Sequence, residues 1–164
     1  MTPGEYIELL IKRNTHDNSV NIINIAKELN ISLYQKDMGS ITDLARLGRN
    51  DEGKIRIVLN KQNDNRHNYT LVALLISELL LNPEKLEKTD LTYDVFKLRE
   101  VRENRFSQTM MLATRLAVPE EIIVQMDEYN FNVDEYAKNS KFMPEFIKCA
   151  VKAKNLSFLV NNDM

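Results

Sequence analysis

The chain has 164 residues, 43% hydrophobic and 28% charged, with a formal charge of −2 at neutral pH. That length suits one domain with a sizeable core, and the composition excludes fibrous and disordered classes. The slight acidic balance argues against a general binder of nucleic acid or anionic membrane, and the single Cys149 excludes an internal disulfide.

Thr2 and Pro3 open the first helix, with Thr2 as N-cap, Pro3 in the first turn and Glu5 completing a capping box. Tyr6, Leu9, Leu10 and Arg13 continue the helical spacing. A polar turn over 14–19 follows. Val20, Ile22, Ile23, Ile25, Ala26 and Leu29 then mark the buried side of a second helix, and Asn30 is its expected C-cap before a short strand over 31–34. Another strand is expected around 40–44. Asn50, Asp51, Glu52 and Gly53 predict a turn, since Asn, Asp and Gly tolerate positive φ. The next stretch, 54–60, alternates cleanly, with Ile55, Ile57 and Leu59 on one face, and predicts a strand. These strands are expected to form a small antiparallel sheet beside the following helix.

The stretch 69–81 is apolar on nearly every side, interrupted only by Thr70, Ser77 and Glu78. A helix of that kind is one the rest of a domain wraps. It falls short of the roughly 20 apolar residues a bilayer span needs, and Pro83 stops it. A charged connection over 84–92 leads to a long helix over 93–117, spaced by Val95, Leu98, Phe106, Met110, Ala113 and Ala117. Pro119 restarts the chain into a short helix over 122–129. The segments 133–138 and 144–154 form a pair resembling a helix-turn-helix. The fold class is therefore α+β and mostly helical. Residues 1–130 form its main domain, and residues 131–164 form a C-terminal pair and tail expected to pack on it.

Asn60, Arg66, Tyr69, Thr70, Leu71, Leu75, Leu79 and Leu80 carry a resemblance. Their frame is similar to the central helix of the ImmA/IrrE-type zinc metallopeptidases, which reads Arg-x-x-Phe/Tyr-Thr-Leu-Ala-His-Glu-Leu-Gly-His-x-Leu-Leu after an asparagine-ended strand. The resemblance implies a zincin-like scaffold. Its chemistry is missing: Ala73 and Ser77 stand at the two zinc histidines, and Leu74 at the catalytic glutamate. Two imidazoles one helical turn apart are what such a site needs to hold zinc beside a glutamate base. The family's third ligand lies in a Glu-x-Glu pattern on the next helix. Matching Leu112, Ala113, Leu116, Ala117 and Pro119 to that pattern puts its two carboxylate positions on Phe106 and Gln108. A rival register puts them on Glu100 and Arg102. Neither register restores a ligand set, so no metal, no cofactor and no catalysis are expected.

Other chemistry is sparse. His16 and His67 are far apart and in polar contexts, and Cys149 lies on an amphipathic stretch. There is no Gly-rich phosphate loop, nucleophile elbow or Cys-x-x-Cys. Lys97, Arg99, Arg102 and Arg105, interleaved with Glu100 and Glu103, read as a solvated face. The resemblance implies a pseudoenzyme that binds a protein, with a transcriptional regulator or repressor of a phage or mobile element as the partner class. Phe142, Met143, Phe146 and Lys148 are the expected partner-facing residues, as exposed anchors beside a turn. The alternatives are a DNA-binding regulator using the C-terminal pair, with Lys148, Lys152 and Lys154 near phosphates, and a metallopeptidase with an unconventional site. The N-terminus reads as carrying no signal peptide. A cytoplasmic protein with no membrane contact is expected.

Overall fold

Two periodicities organise the chain, a two-residue alternation in its first third and helical spacing through most of the rest. The computed structural model describes residues 1–17, 19–104, 107–122 and 132–148. It is an α+β fold, predominantly helical, with one small four-stranded sheet and a two-stranded ribbon.

Helix α1 (Pro3–Arg13) carries the expected capping box: the Glu5 N–H donates to Thr2 Oγ1 at 3.2 Å, and the Thr2 N–H donates to Glu5 Oε2 at 3.0 Å. Strands β1 (Thr15–His16) and β2 (Ser19–Val20) pair as the ribbon. Helix α2 (Ile22–Glu28) ends just before Asn30, whose φ of 58° turns the chain out of the helix. The sheet is built from β3 (Ser32–Lys36), β4 (Asp43–Arg49), β5 (Ile55–Asn60) and β6 (Leu91–Asp94), in the order β3-β5-β4-β6.

The expected sheet was antiparallel; the observed one is mixed. Strands β4 and β5 form a hairpin across the expected turn, where Gly53 takes φ +81° and the Asn50 N–H donates to the Lys54 carbonyl at 2.9 Å. That leaves the far side of β5 for β3, which lies parallel to it. Strand β6 falls where a charged connection and the start of a helix were expected. Its alternation is only four residues long, with Leu91 and Tyr93 buried and Thr92 exposed.

Helix α3 (Asn65–Leu81) is the expected core helix, capped by Asp64, whose Oδ1 accepts the His67 N–H at 2.9 Å. It is buried without a break from Thr70 to Glu78. Leu47 and Ile57 from the sheet and Ile25 from α2 share its core, as do Met110, Ala113 and Leu116 from later in the chain. A short α4 (Pro83–Lys88) leads to β6. The long helix expected over 93–117 is two helices, α5 (Val95–Glu103) and α6 (Gln108–Ala117). Each has its own side-chain cap: Asp94 accepts from the Lys97 N–H at 2.7 Å and Ser107 from the Met110 N–H at 3.1 Å. Apolar spacing runs through the break, but two N-caps define two starts. An ion pair between Arg115 and Glu8 ties α6 to α1.

The C-terminal pair comprises α7 (Val133–Asn139) and a helix, α8, described over 144–148. The expected helix over 122–129 enters at 120–122; its remainder, Arg105, Phe106, Cys149, Lys152 and Lys154 lie outside the described residues. No helix among the described residues is long and apolar enough to cross a membrane.

Candidate functional site

The motif positions on α3 lie inside the core. Ala73, Leu74 and Ser77 are each 0% exposed. Ser77 Oγ donates to the Ala73 carbonyl at 2.7 Å, so its hydroxyl is satisfied within the helix. Leu74 packs among apolar neighbours. Nothing at these three positions can ligate a metal or accept a proton from water. Gln108 sits exposed on the first turn of α6, and Glu100 is exposed on α5. Among the described residues no three His, Cys, Asp or Glu side chains gather as a metal site.

The other residues of the resemblance have structural partners. Asn60 Nδ2 donates to the carbonyls of Ser40 at 2.8 Å and Asp43 at 2.6 Å, fastening the loop before β4 to the end of β5. Arg66 Nη2 donates to the Lys138 carbonyl at 2.7 Å. Thr70 Oγ1 donates to the Arg66 carbonyl at 2.9 Å and accepts the Met143 N–H at 3.0 Å. Tyr69 meets the Phe142 ring edge-on, with centroids 6.0 Å apart.

Those contacts bear on the expected partner anchors. Phe142, Met143 and Phe146 were expected to be exposed; they are 3%, 7% and 0% exposed. Phe142 packs against both Tyr69 and Phe146. The apolar face of the pair is turned onto α3, because Arg66, Tyr69 and Thr70 offer it donors, acceptors and an aromatic edge. Lys148 stays about half exposed and pairs with Asp134 at 3.1 Å. His16 is exposed, and His67 Nδ1 lies 2.9 Å from Asp64 Oδ2.

A buried polar cluster lies at the C-terminal half of α3, which sequence reading did not single out. Glu78 is buried, and its Oε2 lies 3.5 Å from Lys97 Nζ, outside hydrogen-bonding geometry. Lys97 Nζ also sits 4.4 Å from the Tyr93 ring centroid. Lys97 is therefore only partly solvated, unlike the freely solvated residue its charge pattern implied. Tyr93 Oη and Arg102 Nε are buried with no hydrogen-bond partner among the described residues. Burial, and next the Glu78 carboxylate, push the Tyr93 phenol far above its ordinary range, so it stays neutral. The sequence signal was Glu78 itself, a lone acid on an otherwise apolar helix.

Two surface features complete the picture. Strand β3 ends the sheet and, among the described residues, pairs with β5 alone. Between it and the N-terminal half of α3 runs a groove of about 280 Å³, lined by Ile23, Leu33, Leu59, Tyr69 and Val72 with Asn68 at its side. The outward face of the sheet is polar, and a wider concavity of about 630 Å³ lies over it, lined by Tyr34, Lys36, Arg46 and Arg56 among others. Tyr34 borders both features and is 54% exposed.

No family model, no curated protein and no solved structure matches this chain.

Proposed function

We propose that the chain is a non-catalytic protein-binding module, a pseudo-peptidase in which the edge of β3 takes an extended segment of a partner. The observation that carries this reading is that edge strand beside an apolar groove. A terminal strand presents unpaired N–H and C=O groups that another extended chain can hydrogen-bond, while a neighbouring groove accepts alternate side chains. Binding of this kind needs no metal and no general base, which agrees with the side chains at 73, 74 and 77. The resemblance to the ImmA/IrrE-type peptidases favours a transcriptional repressor of a phage or mobile element as the partner.

The test is affinity capture from the native host with the parent chain and with Leu33→Arg, which puts a charge into the groove from a half-buried position. Circular dichroism first checks that the variant folds. We expect one regulator to be retained by the parent and lost by Leu33→Arg. Equal retention by both chains, or metal-dependent proteolysis by the purified parent, would overturn the reading.

A further inference from the structure

Three residues stand in one row across the outward face of the sheet. Gly48 of β4 is paired with Arg56 of β5. On its other side, Leu47 pairs with Leu91, so the next step of the antiparallel ladder brings Asp90 opposite Gly48. The Asp90 side chain leans over the glycine. A Cβ on residue 48 would lie 2.6 Å from Oδ1 and 2.9 Å from Oδ2, so the carboxylate occupies the space a side chain would fill. Arg46 lies two residues back on the same face, about 7 Å along the strand, and Arg56 is one strand away, about 5 Å. Two guanidinium groups thus flank a notch that exists because residue 48 has no side chain.

The carboxylate in the notch is loosely held. Arg46 Nε is 3.9 Å from Asp90 Oδ2, too long for a hydrogen bond, and the two side chains are 58% and 47% exposed. Arg56 is exposed and makes no ion pair among the described residues. Two of the other aspartates around the concavity are engaged locally: Asp37 accepts the Gly39 N–H at 2.9 Å and Asp94 caps α5. Lys36 on the same face adds a third cation. Guanidinium forks bind oxyanions through paired, charge-assisted hydrogen bonds, and here neither fork is saturated.

We propose that the Gly48 notch is an oxyanion seat, held in cis by the Asp90 carboxylate and open to a phosphate or carboxylate group of a ligand in trans. Asp90 acts as a built-in competitor, so an incoming anion binds by displacing it. The proposal stands apart from strand addition at β3 and does not depend on it.

The test is an NMR titration of the labelled full chain with inorganic phosphate and, separately, with acetate. It follows the backbone amides of Arg46, Gly48 and Arg56 and the Nε–H groups of both arginines. Saturable shifts confined to these residues are expected. Asp90→Asn should tighten binding by roughly fivefold or more, because it removes a like charge at close range without changing size. Arg56→Gln, at an exposed position, should weaken binding to either anion, and Arg46→Lys should weaken it less than Arg46→Ala. Tighter binding of phosphate would assign the natural group as a phosphate, and the reverse order would assign a carboxylate. Shifts that never saturate, an Asp90→Asn variant no tighter than the parent, or binding that survives loss of both arginines would overturn the proposal.

Discussion

At Leu74 the side chain decides what the neighbourhood can tolerate. The position is 0% exposed and surrounded by core residues. A carboxyl group placed there would lose a well-packed Leu and gain a buried polar group with no partner. Leu74→Glu is expected to lower unfolding stability by roughly 3 kcal/mol in urea titrations, and a variant as stable as the parent would mean that water reaches the position. Ser77 tells the same story from the polar side, since its hydroxyl is already spent on the Ala73 carbonyl. The sequence made these substitutions legible because the matching frame is continuous from Tyr69 to Leu80. It left the fate of Phe142, Met143 and Phe146 open. Their spacing defines one apolar face, but spacing alone does not say whether the core or a partner covers it. Thr70 and Arg66 decide that, through bonds to residues some seventy positions away.

Among the elements, those with strong local signals matched expectation. The capping box of α1, the turn at Gly53 and the alternation of β5 each rest on side chains within a few residues of one another. Strand β6 and the break before Ser107 rest on weaker cues: a four-residue strand is too short to establish a period, and a single Ser in a run of helical spacing is easily read through. The parallel pairing of β3 with β5 was illegible for another reason, since it depends on which side of β5 the hairpin partner leaves free. Helix α3 begins at a cap whose contribution is testable. The His67 N–H hydrogen bond holds the Asp64 carboxyl below the usual carboxylate range, against a smaller opposing effect of burial. A lowered folded pKa contributes stability above the unfolded pKa of about 4 that is lost as pH falls through the folded value. Asp64→Ala should therefore cost about 1 kcal/mol at neutral pH. The gap between parent and variant should narrow below about pH 4. A gap that stays constant into acid would show that the carboxylate charge plays no part at the cap.

At the scale of the whole molecule, the question is whether the C-terminal pair is a separate unit or part of the same core. Arg66 bonds to the Lys138 carbonyl, Thr70 receives the Met143 N–H, and Tyr69 meets Phe142 edge-on. All three ties fall within one and a half turns at the start of α3. Phe146 and Ile147 are fully buried, and Phe146 extends the aromatic contact. Truncating a buried Phe removes its transfer free energy and leaves a cavity, together about 3–5 kcal/mol. If the pair shares the core of α3, that loss should reach every element packed on the helix. Phe146→Ala is then expected to shift a single cooperative unfolding transition to lower denaturant, with the same midpoint by far-UV circular dichroism and by Tyr fluorescence. An independent pair would respond differently: the variant would melt in two steps, with the sheet and α3 keeping the parent midpoint. Under the shared core, variants at 142, 143 and 146 all weaken the scaffold itself, so a loss of partner binding by them reports on folding. Interaction is then better probed at Leu33, Tyr34 and the outward face of the sheet, where side chains reach solvent without holding the core together.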